Sequence, residues 1–279
     1  MEQNYNGDFH IERMKSRIPW DMDGGHTHNY HEMYYLLSGS RRYFAGQTIY
    51  NVEAGDLVVI PKGTPHHMSS RTSGNYERYV VYFSDEFFAP LAETLGEKET
   101  HRFLNFGCVS IPVQHQAALR KFFETMEQEA RHDNECSRLV KSCALGNAAA
   151  LALRYGKGAK SDSAEKIEKI QEVARHIREN FNQEITLCDA AQMAFMEETY
   201  FSKQFKKLTG FGFSEYVSQI RMQQAEELLR NSTLSVGKIA ELCGYSGSNY
   251  FGDAFRKKYG ISPMKFRKNY REEIGENEL

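Results

Sequence analysis

The sequence predicts an α+β multidomain protein, in which an N-terminal β jelly roll with a helical pair precedes a C-terminal all-α domain. Three observations support this class. Short runs of aromatic and β-branched residues, separated by turns, continue to about Pro112. Apolar residues then recur at helical spacing to about Tyr155. Between Thr186 and Arg267 one helical unit occurs twice, which predicts two helix-turn-helix units joined by a helix.

Length and composition limit the class of protein further. At 279 residues the chain is long enough for two domains. Five cysteines without Cys-x-x-Cys spacing argue against a disulfide framework or a zinc site. The sequence has neither a signal-like N-terminus nor a run of about 20 apolar residues, so we expect a cytoplasmic protein that does not enter a membrane.

Charge is informative only locally. The net charge of −2 does not by itself indicate a nucleic-acid-binding protein. The segment 254–271, however, contains no acidic residue and carries the basic residues Arg256, Lys257, Lys258, Lys265, Arg267, Lys268 and Arg271. Such a segment forms a concentrated positive surface suited to phosphate groups.

Residues 1–112 are predicted to be β structure. The predicted strands cover 32–37, 41–44, 48–52, 56–60, 65–68 and 78–83, with glycines and a Pro61-Lys62-Gly63 turn between them. Many short strands at this spacing favour a barrel or jelly roll. Alternation along the first strand places Tyr34 and Leu36 on the same face as Glu32, and Met33 and Tyr35 on the other.

A helical pair is predicted at about 113–155. Its first helix has an apolar stripe, and so does its second, from about Ser137 to Tyr155. The residues of the two stripes are Leu119, Phe122, Phe123, Met126 and Ala130, then Leu139, Val140, Cys143 and Leu145 with several alanines. The pair has two interpretations, a lid on its own domain or a dimer surface, because both would bury the same stripe.

The domain boundary is predicted at residues 156–163, which are small, polar and glycine-bearing and therefore resemble a flexible linker. This gives a first domain of residues 1–155 and a second of residues 164–279. In the second domain a helix from Ala164 to Asn182 precedes the repeated units, and a helix from Ser214 to Arg230 joins them.

The two repeated units cover about 186–210 and 235–260. Thr186, with Asp189 three residues later, and Ser235 are predicted N-caps, while Gly210 and Gly260 are predicted left-handed C-caps. In the second helix of each unit, inward-facing apolar residues recur at helical spacing. These residues are Phe201, Phe205 and Leu208 in the first unit and Phe251, Phe255 and Tyr259 in the second.

This C-terminal pattern resembles the AraC/XylS family of bacterial transcription regulators. Tyr200-Phe201, Tyr250-Phe251, the segment 225–229 and the segment 260–267 carry the resemblance. The departures are Ala190, Gly237, Gly252 and Asp253. The resemblance implies double-stranded DNA and a small-molecule effector as partners, assembly as a homodimer, and RNA polymerase as a further candidate partner.

Candidate DNA contacts follow from the family's base-contact positions, carried over by distance from the inward phenylalanines. They are Thr199, Ser202 and Lys203 in the first unit and Ser248, Asn249 and Asp253 in the second, where Arg256 also faces outward. Lysine suits guanine acceptors, asparagine suits adenine, and aspartate suits the cytosine amine. Phosphate contacts are assigned to Lys206, Lys207, Lys257, Lys258 and Arg267, for each of which a solvated surface charge is the alternative.

The N-terminal region resembles the cupin fold, the usual sensor domain of this family. His26-Thr27-His28, Glu32 and Gly39 match the first cupin motif, and Gly55, Pro61-Lys62-Gly63 and His66 match most of the second. The resemblance implies an effector site of His26, His28, Glu32, Tyr34 and His66. Their donors, acceptors and aromatic faces suit a sugar or polyol, with a hydrophobic effector as the rival. Trp20 is predicted to lie nearby, where it either packs in the core or stacks on the effector.

The same cluster is a candidate site for a divalent metal. Three imidazoles and one carboxylate, from His26, His28, Glu32 and His66, are a ligand set suited to such an ion. The alternative is that these residues only line a small-molecule pocket. A transcription regulator of this kind requires no cofactor.

The sequence therefore predicts a sequence-specific DNA-binding transcription regulator, without catalytic residues, that responds to a small molecule such as a sugar or related metabolite. Two alternatives stay open: a metal-dependent cupin enzyme with a DNA-tethering domain, and a constitutive DNA-binding protein with a non-functional sensor pocket.

Overall fold

The computed structural model describes residues 7–17, 21–71, 75–132, 134–158 and 164–273. Residues up to Ile167 form one compact unit, and most of the residues after it form a second. Within the described ranges, no helix combines the length and the apolar character needed to cross a membrane. Trp20 and residues 159–163 of the predicted linker lie outside the described residues.

Two antiparallel sheets form the first unit. Its described strands are β1 (Phe9–Ser16), β2 (His31–Ser38), β3 (Ser40–Ala45), β4 (Thr48–Glu53), β5 (Asp56–Ile60), β6 (His66–Ser70), β7 (Tyr76–Phe83), β8 (Gly107–Ser110) and β9 (Lys157–Gly158). The larger sheet has the order β1-β7-β2-β5-β8-β9, and the smaller has the order β4-β3-β6. This confirms the predicted β-rich N-terminal domain, to which β1, β8 and β9 are additions.

The central strand β2 separates two apolar cores. Tyr34 and Leu36 pack with residues of the smaller sheet, whereas Met33 and Tyr35 pack on the opposite face against helices. The alternation predicted from the sequence is therefore confirmed. As a consequence, Glu32, Tyr34 and Leu36 have their side chains in the space between the two sheets.

Two helices lie within the region that the sequence predicts as β structure. They are α1 (Asp85–Leu95) and α2 (Glu97–Leu104), so the β prediction is wrong for these residues. Ser84 caps α1 by accepting a hydrogen bond from the Phe87 backbone N–H at 3.1 Å. Phe87 and Phe103 are buried against the large sheet, which stabilises the helices by tertiary packing.

The predicted helical pair is present as α3 (Val113–Glu129) and α4 (Glu135–Tyr155). Helix α3 buries Leu119, Phe123 and Met126 of the predicted stripe, whereas Phe122 is half-buried and the prediction for the exposed Ala130 is wrong. Helix α4 buries mainly its alanines together with Leu145. Leu139, Val140 and Cys143 are exposed, with 65% of Leu139 accessible to solvent. The predicted packing of these three side chains is therefore wrong, because alanines allow the closer approach of α4 to its neighbours.

The beginning of the predicted linker is part of the larger sheet. Lys157 and Gly158 form β9, which pairs with Ser110 and Val109 of β8. This short edge strand continues the chain directly from the end of α4.

The second unit is helical throughout its described residues. Its helices are α5 (Glu165–Glu179), α6 (Leu187–Met193), α7 (Glu198–Thr209), α8 (Phe213–Asn231), α9 (Val236–Leu242), α10 (Ser248–Tyr259) and α11 (Pro263–Glu273). The pairs α6–α7 and α9–α10 are the two predicted helix-turn-helix units, and α8 joins them. The predicted C-terminal all-α architecture is confirmed.

The caps that start and end these helices are those expected from the sequence. Thr186 and Asp189 form a reciprocal capping box at α6, and the Ser235 side chain accepts from the Lys238 N–H at α9. Gly210 and Gly260 follow α7 and α10 with φ of 81° and 75°. Both glycines are therefore in the left-handed conformation that favours a residue without a side chain.

Each helix-turn-helix unit is fixed by a buried aromatic cluster. Phe201 and Phe205 of α7 are fully buried, as are Phe251 and Phe255 of α10. In the second helix-turn-helix unit, the Tyr259 hydroxyl donates a hydrogen bond to Glu226 Oε2 on α8 at 2.8 Å. Each buried ring stabilises the fold by about 2–3 kcal/mol, so the opposite face of each helix has a fixed orientation.

Candidate nucleic-acid interface and effector site

The first recognition helix, α7, turns a polar face away from its phenylalanines. Thr199, Lys203 and Lys206 are exposed, and Ser202 is half-buried. The structure therefore places the four predicted residues on the side opposite the buried Phe201, where side chains are free to approach a base edge or a phosphate.

The second recognition helix, α10, presents the corresponding face. Its predicted contact residues, Ser248, Asn249, Asp253, Arg256 and Lys257, are all exposed. Nothing lies within 4 Å of a Cβ added at Gly252, so the middle of this face is open. The small residue leaves room for a neighbouring base pair or sugar to approach the backbone.

Glu197 has a structural role that sequence reasoning missed. Its two carboxylate oxygens accept hydrogen bonds from the Thr199 and Tyr200 backbone N–H groups at 3.0 and 2.9 Å. These hydrogen bonds lower the pKa of Glu197. Glu197 therefore caps α7, which explains an acidic residue beside a surface predicted to contact phosphate. The sequence contained a signal for this role, because an acidic residue directly before a helix commonly caps its N-terminus.

Lys258, a predicted phosphate contact, is less accessible to solvent than its neighbour Lys257. It is half-buried, with Nζ 5.3 Å from the centroid of the Tyr259 ring, and burial lowers its pKa to about 8. Arg267 is also half-buried, and burial lowers its pKa. The proposed phosphate-contact set is therefore the exposed Lys206, Lys207 and Lys257, and the contacts of Lys258 and Arg267 stay predictions.

In the N-terminal unit, which contains the two sheets, three predicted histidines converge. The backbones of His26 and His66 exchange hydrogen bonds of 3.0 Å, an isolated bridge that holds the loop before β2 against β6. The His66 ring centroid lies 4.2 Å from that of His26 and 4.7 Å from that of His28. One ring nitrogen from each histidine lies within 4.8 Å of the others.

Glu32 lies against this cluster. Its Oε2 is 3.1 Å from His28 Nε2 and 3.5 Å from His66 Nε2, and its Oε1 accepts a hydrogen bond of 2.7 Å from the Tyr43 hydroxyl. Burial alone would raise the pKa of Glu32, but hydrogen bonding to His28 and His66 holds it well below its ordinary value. Glu32 is therefore a buried carboxylate at neutral pH.

Backbone carbonyls set the tautomers of two histidines. His28 Nδ1 donates to the Tyr30 carbonyl and His66 Nδ1 to the Thr64 carbonyl, each at 2.8 Å. Burial lowers the pKa of His26 to about 3 and lowers that of His28 as well. Because His28 Nδ1 donates to a carbonyl, its Nε2 can lie 3.1 Å from the ionised Glu32 Oε2 only with a proton or a cation between them. The donor set therefore fits a divalent cation.

Two further polar residues lie between the sheets without having been predicted. Tyr43, on β3, contacts Glu32 and has its ring centroid 5.4 Å from that of Tyr34. Arg41 lies two residues earlier on β3 and, like Tyr43, is buried. Because residues two apart on a strand share a face, the sequence placed Arg41 and Tyr43 on the same side of β3. It could not show which side is buried, since the strands that pair with β3 could not be assigned from the sequence.

Two family models match the chain. The model for an AraC-like ligand-binding domain matches residues 10–142, and the model for a helix-turn-helix domain matches residues 190–269, so together they cover more than half of the chain. The chain belongs to the AraC family of transcription regulators. Both predicted resemblances are confirmed by these matches.

Relatives of this AraC-family chain are themselves regulators. The HTH-type transcriptional activator RhaR of Mannheimia succiniciproducens is 21% identical over 262 residues, which is 93% of this chain and 91% of RhaR. The regulatory protein PocR of Salmonella typhimurium is 37% identical over 109 residues, 39% of this chain and 35% of PocR. A solved structure of an apo lysine-to-alanine variant of ToxT from Vibrio cholerae aligns with 95% of this chain and with 98% of the ToxT chain. The sequence identity is 13% and the TM-score is 0.41.

The two candidate sites of this AraC-family member lie in different units. The predicted effector residues all belong to the first unit, and the predicted DNA contacts all belong to the second. Each unit therefore has its own binding chemistry: buried imidazole, phenol and carboxylate groups in one, and exposed amide, hydroxyl and cationic groups in the other.

Proposed function

We propose that this DNA-binding regulator responds to a small polar effector, a sugar or related metabolite, bound between the two sheets. The observation that carries the proposal is the set of buried polar side chains there: His28, Glu32, Tyr34, Tyr43 and His66. The Tyr34 hydroxyl and His66 Nε2 have no hydrogen-bond partner among the described residues. Because buried polar groups are costly without partners, a ligand that supplies hydrogen bonds would bind there favourably.

Regulation requires that the effector distinguish two states of the protein. A ligand shifts an equilibrium only by the difference between its affinities for the two states. A tenfold change in operator affinity therefore needs a difference of about 1.4 kcal/mol, which one or two hydrogen bonds made in one state alone would supply.

Operator binding with and without metabolites tests this function. Selection from random DNA with the full-length protein would first give the operator sequence. We expect a sugar or related metabolite to change operator affinity, and Tyr34→Phe to weaken that response because a hydrogen-bonding hydroxyl is lost. Tyr155→Phe, on the exposed end of α4, is the matched control. Operator affinity that no such metabolite changes would contradict the proposal.

We further propose that α7 and α10 enter neighbouring major-groove segments. Base contacts are proposed for Thr199, Ser202, Lys203, Ser248, Asn249 and Asp253, and phosphate contacts for Lys206, Lys207, Arg256 and Lys257. All are exposed except the half-buried Ser202. The 19 residues of α8 span about 28 Å, which approaches the roughly 34 Å of one DNA turn. The length of α8 therefore supports contacts on one side of the duplex.

The exposed face of α4 supports a homodimer. Cys136, Leu139, Val140 and Cys143 recur at helical spacing and are exposed, which leaves an apolar stripe in water. We propose that a second copy of the chain covers it. Leu139→Glu should lower the mass measured by light scattering from dimer to monomer, whereas Gln128→Glu on α3 should leave it unchanged. A Leu139→Glu protein that stays dimeric would exclude this interface.

The histidine–glutamate cluster supports a second proposal, a bound divalent metal held by His26, His28, Glu32 and His66. Such an ion would offset the negative charge of the buried Glu32, and it would stabilise the folded N-terminal unit. Elemental analysis of purified protein should find one ion per chain, lost in His28→Ala but retained in the exposed control His101→Ala. Protein free of metal, with a melting temperature unchanged by added zinc, nickel, iron or manganese, would leave these residues as a hydrogen-bonding wall.

A further inference from the structure

A buried arginine lies in the space between the two sheets, separate from the histidine cluster. Arg41 on β3 is only 1% exposed, and its Nη1 donates to Ser70 Oγ at 3.1 Å. Its Nε and Nη2 are buried and have no hydrogen-bond partner in the described part of the chain. No carboxylate among the described residues forms an ion pair with it.

Stacking does not compensate for these missing partners. The Arg41 guanidinium carbon lies 3.6 Å from the centroid of the Tyr76 ring, so one face of the group is covered by a cation–π contact. The N–H bonds, however, lie in the plane of the guanidinium and point past the ring. Because arginine stays protonated in proteins, the charge cannot be relieved by losing a proton.

The two unpartnered nitrogens lie on the same edge of the guanidinium. The Nε–H and the adjacent Nη2–H point in parallel, a spacing that matches the two oxygens of a carboxylate in a bidentate pair. Arg41 therefore presents a complete, unused carboxylate-binding edge inside the sandwich.

The neighbourhood of Tyr34 adds to this anion-binding character. The Tyr34 hydroxyl is buried and has no hydrogen-bond partner among the described residues, and its ring lies 5.4 Å from that of Tyr43, which shares a face of β3 with Arg41. The Arg78 guanidinium carbon is 5.4 Å from the Tyr34 ring centroid. A ligand anion here would meet two buried positive charges and a free phenolic donor.

We propose that the effector carries a carboxylate, which Arg41 binds through its Nε and Nη2 edge while ligand hydroxyls meet Tyr34. The effector is thus a sugar acid or small hydroxy acid, and a neutral sugar lacks the group that this site recognises. The inference rests on the proposed function in one respect, that the effector binds between the sheets.

Thermal unfolding of the full-length protein tests the inference. The probes are galacturonate, gluconate, lactate and malate, each beside its neutral counterpart, with inorganic phosphate as a separate anion. We expect at least one carboxylate to raise the melting temperature, and its neutral counterpart to bind at least about tenfold more weakly. Arg41→Lys should lose a similar factor, because an ammonium group keeps the charge but lacks the planar two-donor edge.

Two more variants complete the test. Arg41→Met should lose the carboxylate response and, without ligand, be at least as stable as the wild type, because it removes a buried charge without a partner. Arg120→Met, on the exposed surface of α3, is the matched control and should keep the response. The inference is overturned if no carboxylate stabilises the protein, if phosphate or the neutral counterpart does so as strongly, or if Arg41→Lys responds fully.

Operator affinity measured in the same samples separates this inference from the proposed function. A carboxylate that binds through Arg41 without changing operator affinity would support the site and contradict the regulatory function. A neutral metabolite that changes operator affinity equally in the wild type and in Arg41→Lys would support the function and overturn the inference.

Discussion

Phe195 and Gly244 occupy equivalent positions in the turns of the two helix-turn-helix units. Both have positive φ, 54° for Phe195 and 75° for Gly244. Their backbones make matching hydrogen bonds, from Phe195 N–H to Gln192 O and from Gly244 N–H to Glu241 O. The turn therefore requires a left-handed residue in both units, and the first unit meets that requirement with a phenylalanine.

We expect Phe195→Gly to be more stable than Phe195→Ala by about 1 kcal/mol, because a residue with a Cβ is strained in the left-handed conformation. Both variants remove the ring, which is 84% exposed, so the loss of the contact with Lys169 cancels between them. Urea unfolding measures the difference. Gly237, in α9, is the matched control, since Gly237→Ala should instead stabilise the protein. Equal stability of the two Phe195 variants would show that the turn is not strained.

Lys203→Ala and Asn249→Ala test the two recognition helices. Each should weaken binding to the preferred DNA site by about 1–3 kcal/mol and relax the preference at one base pair, because each removes a proposed base contact. Selection from random DNA with each variant measures the preference. A wild-type motif recovered with both variants would contradict the base-reading assignment.

Lys257→Ala should weaken binding to all DNA sequences alike. The exposed Lys257 is proposed to meet phosphate, so its loss should reduce the slope of log affinity against log salt by about 1. Titrations at several salt concentrations, on operator and on random duplex, give this slope. The matched control is Lys121→Ala, which removes an exposed lysine on α3 of the other unit and should leave the slope unchanged.

Features set by a few consecutive residues could be predicted from the sequence. The capping box at Thr186 and the left-handed Gly260 depend on local hydrogen bonds and local sterics. The inward faces of α7 and α10 follow from the spacing of Phe201 and Phe205 and of their counterparts. Alternation along β2 similarly placed Glu32 and Tyr34 between the sheets.

Features set by tertiary packing could not be predicted in this way. Leu139 is more apolar than the alanines of α4, yet the alanines are buried because close helix approach requires small residues. Arg41 lies two residues before Tyr43 and therefore on the same face of β3. Only the pairing of β3 with its neighbours, however, shows that this face, with its charged residue, is buried in the core. The burial of Lys258 likewise depends on the residues that pack around α10. The basic composition of the segment 254–271 does not show which of its lysines are buried.

Lys258→Met should stabilise the protein at pH 7 by about 1–3 kcal/mol, because it removes a half-buried charge while keeping an apolar side chain of similar length. Burial lowers the pKa of Lys258 from 10.5 to about 8. The unfolded chain therefore holds the proton more tightly than the folded chain.

The sign of the pH dependence follows from this difference. The penalty for the wild-type lysine is fully present below pH 8 and declines as pH rises towards 10.5, where the unfolded chain also loses its proton. The advantage of Lys258→Met should thus be largest at pH 7 and shrink by pH 10, in unfolding experiments run on both proteins at each pH. Lys257→Met, whose lysine is exposed, should show a small difference that is constant with pH. A constant advantage for Lys258→Met would mean that Lys258 keeps an ordinary pKa in the folded protein, and the lysine would then return to the phosphate-contact set.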